Sequence, residues 1–534
     1  MPRPASDTLI IGGGHNGLAC AAYLAAAGQQ VTVLEARDVI GGAAVTEEFH
    51  PGFRNSSCSY TVSLLHPDVI RELRLAQHGL RIVERPMANF LPLPDGDAFR
   101  FGGERTLPEV ARFSRRDAER LPAWNEMLGR VAGVLRALAT EIPPNVSDRF
   151  VLADWLASWS VARKLKGLDM RGRRDLLDLF TKSAGELLDD WFESDPLKAV
   201  LGWDSIVGNF ASPYTPGTAY VLLHHVFGEV NGKPGAWGHA IGGMGAISEA
   251  IAAEARARGV EIRTGARVTQ VIVRDGRAAG VILADGTELG ARRVVAGVNP
   301  KLLYTRLFEP ADLDPGLLAR FARYRCGSGT FRINVALAEL PDFRAAPGTQ
   351  LQPHHGSGIL VGPSLDYFER AYFDARSREH NPGWAREPVV ELVISSTLDD
   401  TLAPPGQHVA SLFCQHVNPE LDDGDGGGWD AHRETFADLA IATVDRHAPN
   451  FAASILGRRI LSPLDLEREY GLLGGDIFHG ALGLDQLFSA RPLLGQADYR
   501  GAVPGLYLCG SGTHPGGGVT GLPGRNAARA ILRD

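Results

Sequence analysis

Cysteine is scarce in this chain of 534 residues, and its placement excludes several chemistries at once. The five cysteines are Cys20, Cys58, Cys326, Cys414 and Cys509, and no two stand at Cys-x-x-Cys spacing. No disulfide framework and no zinc-ligand spacing follow from such a set, so no metal is expected. Concentrated basic tracts are also missing. The net charge is -8 with acids and bases interspersed, which sets nucleic acid aside as a partner. No apolar run reaches the roughly 20 residues that a membrane-spanning helix needs. The first strand starts near Thr8 and leaves little room for a signal or transit peptide, so a cytoplasmic location is expected. Composition is otherwise that of an ordinary globular protein, 44% apolar and 22% charged, with glycine enriched at 63 residues.

Those glycines are organised. Asp7 to Ile11 reads as a strand, Gly12-Gly13-Gly14-His15-Asn16-Gly17 as a turn, Leu18 to Ala27 as a helix, and Val31 to Leu34 as a second strand closed by Glu35. That order is a dinucleotide-binding fingerprint. Gly12 allows a sharp turn off the strand, Gly14 a close approach to a pyrophosphate, and Gly17 tight packing of the helix on the sheet. The helix N-terminus supplies unpaired N–H groups for phosphate, and Glu35 can accept hydrogen bonds from a ribose diol. The adjacent Gly41 and Gly42 permit a second close approach on the loop that leaves this strand.

Further along, Phe90 to Phe101 reads as a hairpin turning at Asp95-Gly96. Leu152 to Phe180 reads as helix, with Trp155 and Trp159 on one face beside a basic cluster from Arg163 to Arg174. Such a stretch fits a solvated surface helix pair or a peripheral membrane contact. Gly242-Gly243-Met244-Gly245 leads into a helix, and a strand and meander follow up to Ala296. Strands are expected at Val389 to Ser395 and His408 to Gln415, a loop at Asp422 to Gly428, and a helix at Trp429 to Ala448. The chain closes on a strand from Gly505, the glycine loop Ser511 to Gly521, and a helix with Pro523 in its first turn. A second helix N-terminus is thereby available to a flavin ring.

Taken together the motifs resemble phytoene desaturase-like FAD-dependent oxidoreductases. The resemblance rests on Ile10 to Leu18, Gly242 to Gly245, and Leu506 to Val519. Gly474-Gly475-Asp476-Ile477-Phe478-His479-Gly480, Asp485 to Phe488 and Arg491-Pro492 narrow it to the branch called pyridine nucleotide-disulfide oxidoreductase domain-containing protein 2. It implies an α/β fold like that of glutathione reductase and amine oxidase flavoproteins. A discontinuous Rossmann-type FAD-binding domain (1–100, 235–300 and 495–534) would be interleaved with an α+β substrate domain (101–234 and 301–494). Non-covalent FAD would be held by Gly12, Gly14, Gly17, Glu35, Gly41, Gly42, Val268, Gly510, Val519 and Thr520. Where many relatives carry an arginine after the paired glycines, this chain has Ala43.

The expected reaction is dehydrogenation, desaturation or isomerisation of a small hydrophobic or lipid-like molecule by hydride transfer to flavin. Disulfide reduction is not expected, for want of a cysteine pair in sequence. Two alternatives stay open: a flavin-bound interaction or regulatory protein with a protein partner, and a flavin amine oxidase. The catalytic acid or base is not fixed by the sequence. His514 in the terminal loop and His479 are the candidates, with His224-His225 a third. Trp203, Phe210, Tyr214, Tyr220 and Trp237 are candidates to line an apolar channel.

Overall fold

Residues 6–146, 152–377, 383–421 and 426–534 are described by the computed structural model. The first strand, Ser6–Ile11, lies in the middle of a mixed sheet. Val31–Leu34 and then Glu261–Arg263 flank it in parallel on one side, and Glu288–Ala296 on the other. That last strand is long enough to change neighbours. Its early residues pair antiparallel with Arg277–Leu283, while its final residues pair in parallel with both the first strand and Leu506–Leu508. Ile10 stands level with Val33 and Val295, and Val295 with Tyr507. The two ends and the middle of the chain therefore build one sheet, which is why its strands read as continuous apolar runs.

Helix His15–Ala26 covers this sheet together with Gly245–Ala257 and the terminal helix Leu522–Ile531. Small residues let them approach. A Cβ on Gly17 would stand 2.2 Å from the Gly12 carbonyl oxygen, and one on Gly524 would stand 2.1 Å from that of Asn16.

A second sheet runs in the order Ile455–Leu461, Thr330–Leu337, His408–Val417, Trp384–Val393, Gly358–Val361, Asn89–Pro92 and Ala98–Phe101. The last two strands are the hairpin expected at Asp95-Gly96. It joins this sheet through a parallel pairing of Asn89 and Phe90 with Gly358 and Ile359. The hairpin therefore belongs to the second sheet and not to the first. Alternating apolar residues announce a hairpin but not the sheet that receives it, and here Phe90 packs into a core with Phe331 and Phe343. The expected strands near 389 and 408 and the helix near 429 are present as Trp384–Val393, His408–Val417 and Gly428–Asp445. Of the expected loop at 422–428, residues 422–425 lie outside the described residues.

A helical layer covers the second sheet. The stretch expected to be helical from Leu152 to Phe180 divides into Leu152–Lys166 and Met170–Thr181. Asp169 starts the second helix, its Oδ1 accepting the Gly172 N–H at 2.7 Å. Trp155 and Trp159 stand on the surface, 55% and 53% exposed. Among the described residues, no helix is long and apolar enough to cross a membrane.

Candidate functional site

The glycine turn is shaped by its own closing acid. Buried Glu35 accepts the Gly13 N–H on Oε2 at 2.7 Å and the Arg37 N–H on Oε1 at 2.9 Å. One carboxylate thus braces both the turn and the loop leaving the second strand, and each oxygen keeps a lone pair for a further donor. Gly41 returns to the turn, donating its N–H to the Gly13 carbonyl at 2.9 Å. With φ of 114° and 56°, Gly41 and Gly42 hold backbone that side-chain-bearing residues rarely adopt, and Gly42 lies against the Gly14 Cα.

A second set of residues fixes the loops opposite. Asp476, 1% exposed, accepts N–H groups from Phe478 (2.8 Å), Gly480 (2.9 Å) and Gly327 (3.0 Å). Fully buried Arg491 donates to the carbonyls of Phe478 (2.7 Å), Ser511 (2.9 Å), Gln486 (3.1 Å) and Gly480 (3.3 Å). This cation and anion tie three loops together: 325–328, 476–480 and the terminal glycine loop. Asn16 adds a link from the first turn to the last loop, its Nδ2 donating to Ser511 Oγ at 3.0 Å.

Between these braced loops runs a groove of about 400 Å³, lined by Gly12, Gly14, Gly17, Glu35, Gly42 and Val268 among others. It meets an inner cavity of about 110 Å³ at His15, Ala43, Leu472, His479 and Ser511. Gly518, Val519, Trp237, Phe413 and Phe478 are part of the inner wall. Four buried polar atoms on groove residues have no hydrogen-bond partner: His15 Nε2, Asn16 Oδ1, Arg37 Nη1 and His479 Nδ1. Buried groups of this kind are ordinarily satisfied. Their concentration along one groove marks a place built for a polar ligand.

An outer cavity of about 410 Å³ lies behind Tyr220 and Leu487, walled by Leu135, Val161, Leu165 and Phe180. Tyr220, Val221, Phe478, Leu482 and Leu487 form an apolar cluster that separates it from the inner cavity.

The expected site residues divide between lining and shaping. Gly41 shapes the turn without lining the groove. Gly510 packs closely on Gly297, whose carbonyl oxygen a Cβ would meet at 2.5 Å. Thr520 uses its Oγ1 to accept the Leu522 N–H at 3.1 Å, satisfying the start of the terminal helix. The two histidine candidates are separated. His479 lines both groove and inner cavity, whereas His514 lines the outer cavity and its Nε2 hydrogen-bonds to the Leu138 carbonyl at 3.0 Å. His225 lines the inner cavity, its ring stacked on Trp237 with 6.2 Å between centroids. Of the aromatic candidates, Trp237 lines the inner cavity and Tyr220 the outer one, while Trp203 is core packed against Phe368 and Phe413.

Sequence spacing missed the Asp476–Arg491 brace, which forms only on folding. It also missed a thiol pair, since Cys20 and Cys509 meet in the core beneath the first helix. The Cys509 hydrogen bond and burial push the Cys20 thiol well up. Cys58 lines the inner cavity, with its thiol pushed up to about 12 by burial. Neither Cys20 nor Cys58 is set up as a reactive thiolate.

Compared with known proteins, the chain matches the profile described as flavin containing amine oxidoreductase over residues 17–370. The chain belongs to that flavoprotein family. It is 40% identical to pyridine nucleotide-disulfide oxidoreductase domain-containing protein 2 of Rattus norvegicus, over 100% of this chain and 94% of that one. It is 26% identical to the lycopene-forming phytoene desaturase of a Paracoccus species, over 99% and 98% of the two chains. The crystal structure of an oxidoreductase from Methanosarcina mazei superposes with a TM-score of 0.61 at 16% identity, over 99% of this chain and 100% of that one. This flavoprotein is an FAD-dependent oxidoreductase with the expected fold class.

The groove fits FAD on its own terms. Glu35 has lone pairs to offer a ribose diol at one end, and the helix at His15 presents N–H groups to a pyrophosphate. Unpartnered His15, Asn16 and His479 atoms belong to residues that line the same groove. Glu35→Ala is expected to weaken FAD binding about tenfold to a hundredfold, by loss of charge-assisted hydrogen bonds and of the Gly13 brace. Equilibrium titration monitored by flavin fluorescence measures this.

Proposed function

We propose that this FAD-dependent oxidoreductase dehydrogenates, desaturates or isomerises a small hydrophobic or lipid-like molecule by hydride transfer to flavin. The observation that carries the reading is the inner cavity beside Gly518 and Val519. Val62, Leu64, Val207, Trp237 and Phe413 line it, and no carboxylate among the described residues does. An ammonium group brought there would lose its hydration without gaining a counter-ion. The nearby Glu391 is engaged elsewhere, accepting the Tyr60 hydroxyl and facing Arg85 at 3.5 Å.

In this reading the first sheet holds the cofactor, and the second sheet with its helical layer holds the substrate. Gly12, Gly14, Gly17, Glu35, Gly41, Gly42, Val268, Gly510, Val519 and Thr520 hold or shape the FAD site. Bound FAD supplies a two-electron acceptor. The chain's own contribution is to orient a donor C–H bond against apolar walls and to keep water out. Phe478 stands between inner and outer cavities, so the outer cavity can store or admit the apolar part of a substrate. Disulfide chemistry is not part of the reading, because Cys20 and Cys509 are sealed in the core.

The same geometry supports a peripheral membrane contact. Val161 and Leu165 wall the outer cavity from helix Leu152–Lys166, whose other face exposes Trp155, Leu156 and Trp159. Arg163 lies over the Trp159 ring at 4.2 Å. Apolar side chains beside bases suit an anionic lipid surface. In flotation with anionic liposomes, the native chain is expected to float and the Trp155→Ser, Trp159→Ser double variant to stay behind. Equal flotation of both would remove the contact.

Anaerobic mixing with terpenoid, carotenoid, acyl-lipid and amine donors tests the reaction. Loss of visible flavin absorbance with an apolar donor is the expected result. Bleaching by amines alone would replace the reading with amine oxidation, the chemistry named in the family's description. No bleaching by any donor would favour a flavin-bound interaction protein.

A further inference from the structure

The loop 476–480 is built around one side chain. Asp476 holds the loop from one side through its N–H groups, and Arg491 from the other through its carbonyls. The Tyr324 hydroxyl donates to the His479 carbonyl at 3.0 Å. Held in this way, His479 adopts φ of 56°, a left-handed conformation that non-glycine residues rarely adopt. The His479 ring lines the junction of the groove and the inner cavity, where Nδ1 has no hydrogen-bond partner. His15, the first residue of its helix, lines the same junction with Nε2 unpartnered.

We propose that His15 and His479 act as a pair that grips the pyrophosphate-bearing section of FAD and takes up one proton as it binds. The proposal rests on the FAD reading of the groove. At the junction itself Ala43 carries no charge and Arg491 donates to four carbonyls with only its Nε unpartnered, while Arg37, Arg267, Arg306 and Arg468 line the groove outside the junction. Two phosphate charges placed at the junction would therefore meet a helix N-terminus and two imidazoles, with these guanidiniums elsewhere on the groove wall. Burial holds both rings neutral in the free protein, pushing each down to about 4. A dianion placed against them favours the charged form of one ring, whose partner ring then accepts or shares the load by hydrogen bonding.

The four groove arginines are joined on the groove wall by Glu467, Glu469 and Tyr470. Arg491 and Asp476 brace the loop, Tyr324 and Cys326 approach from the loop that precedes strand Thr330–Leu337, and His224 and His225 lie across Phe478. Glu35 stands at the other end of the groove. Burial pushes the rings of His224 and His225 down, and it pushes Tyr324 and Cys326 up, so these stay neutral near pH 7.

The sign follows from linkage. FAD binding that takes up a proton is strengthened as pH falls, and its Kd rises about tenfold per pH unit between the free and bound histidine values. Calorimetric titration of the full-length, FAD-stripped chain at pH 6.5, in two buffers of different ionisation enthalpy, counts the protons. Uptake of about one proton is expected, with Kd rising between pH 5.5 and 7.5. His15→Gln and His479→Asn are each expected to bring uptake close to zero and flatten the pH profile. Asparagine tolerates positive φ, so the loop keeps its shape, and the melting temperature of the FAD-free variants checks that they fold. FAD binding without proton exchange and with a pH-independent Kd would overturn the pair while leaving the FAD reading intact. A folded chain that takes up no FAD at any pH would overturn both.

Discussion

Arg491→Ala is expected to strip the protein of FAD and to lower its melting temperature more than substitution of any exposed arginine. The guanidinium is fully buried and donates to four carbonyls, three of them on the 476–480 and terminal glycine loops and the fourth on Gln486. Its removal leaves those carbonyls without donors and Asp476 without its nearby cation. Breaking a buried charged network by deleting one partner costs about 3–5 kcal/mol. Much of that loss falls on the 476–480 and 510–518 loops, so FAD occupancy is expected to drop about a hundredfold or more. Arg491→Lys is expected to recover only part of it, because an ammonium cannot span four carbonyls as a planar fork does. Absorbance of retained flavin and thermal melting read both effects. An Arg491→Ala protein that holds FAD as tightly as the native chain would show that the brace is not what shapes the groove.

Gly17→Ala is the second large effect. A methyl group there would meet the Gly12 carbonyl oxygen at 2.2 Å, far inside van der Waals contact and against backbone rather than a yielding side chain. Either the helix His15–Ala26 moves away from the turn or the turn opens. Overpacking of this kind costs about 1–3 kcal/mol in stability, and FAD affinity is expected to fall more steeply, because the phosphate-facing N–H groups lose their aim. Gly129→Ala provides the control. It sits in helix Arg115–Ala139 with nothing within 4 Å of the new Cβ, so it is expected to be neutral or to stabilise by about 0.5–1 kcal/mol. Thermal melts and FAD titrations of the two variants separate a general cost of adding a methyl from the specific clash.

The glycine turn and its strands were legible in the sequence because their signals are local. Gly12, Gly14, Gly17 and Glu35 fall within a single βαβ unit, and each has one mechanical task that residue type and order reveal. The meander, the terminal glycine loop and the helix after it were legible for the same reason. The second role of Glu35 was harder to see, since bracing Gly13 requires knowing where the turn lies relative to the acid. The Asp476–Arg491 brace was out of reach. Its hydrogen bonds join residues 327, 478, 480, 486 and 511, and nothing in a single stretch of sequence brings those carbonyls and amides together. His514 shows the opposite error of proximity. It lies in the terminal loop and yet faces the outer cavity, because chain neighbours on a tight loop point in different directions. His479, by contrast, lines both the groove and the inner cavity.

The most direct test of the account is a cofactor count on the purified full-length chain. The groove described here predicts a yellow protein that releases one FAD per chain on denaturation, and whose FAD is lost in the Arg491→Ala and Gly17→Ala variants but kept by Gly129→Ala. A folded, colourless protein that does not take up added FAD would contradict it.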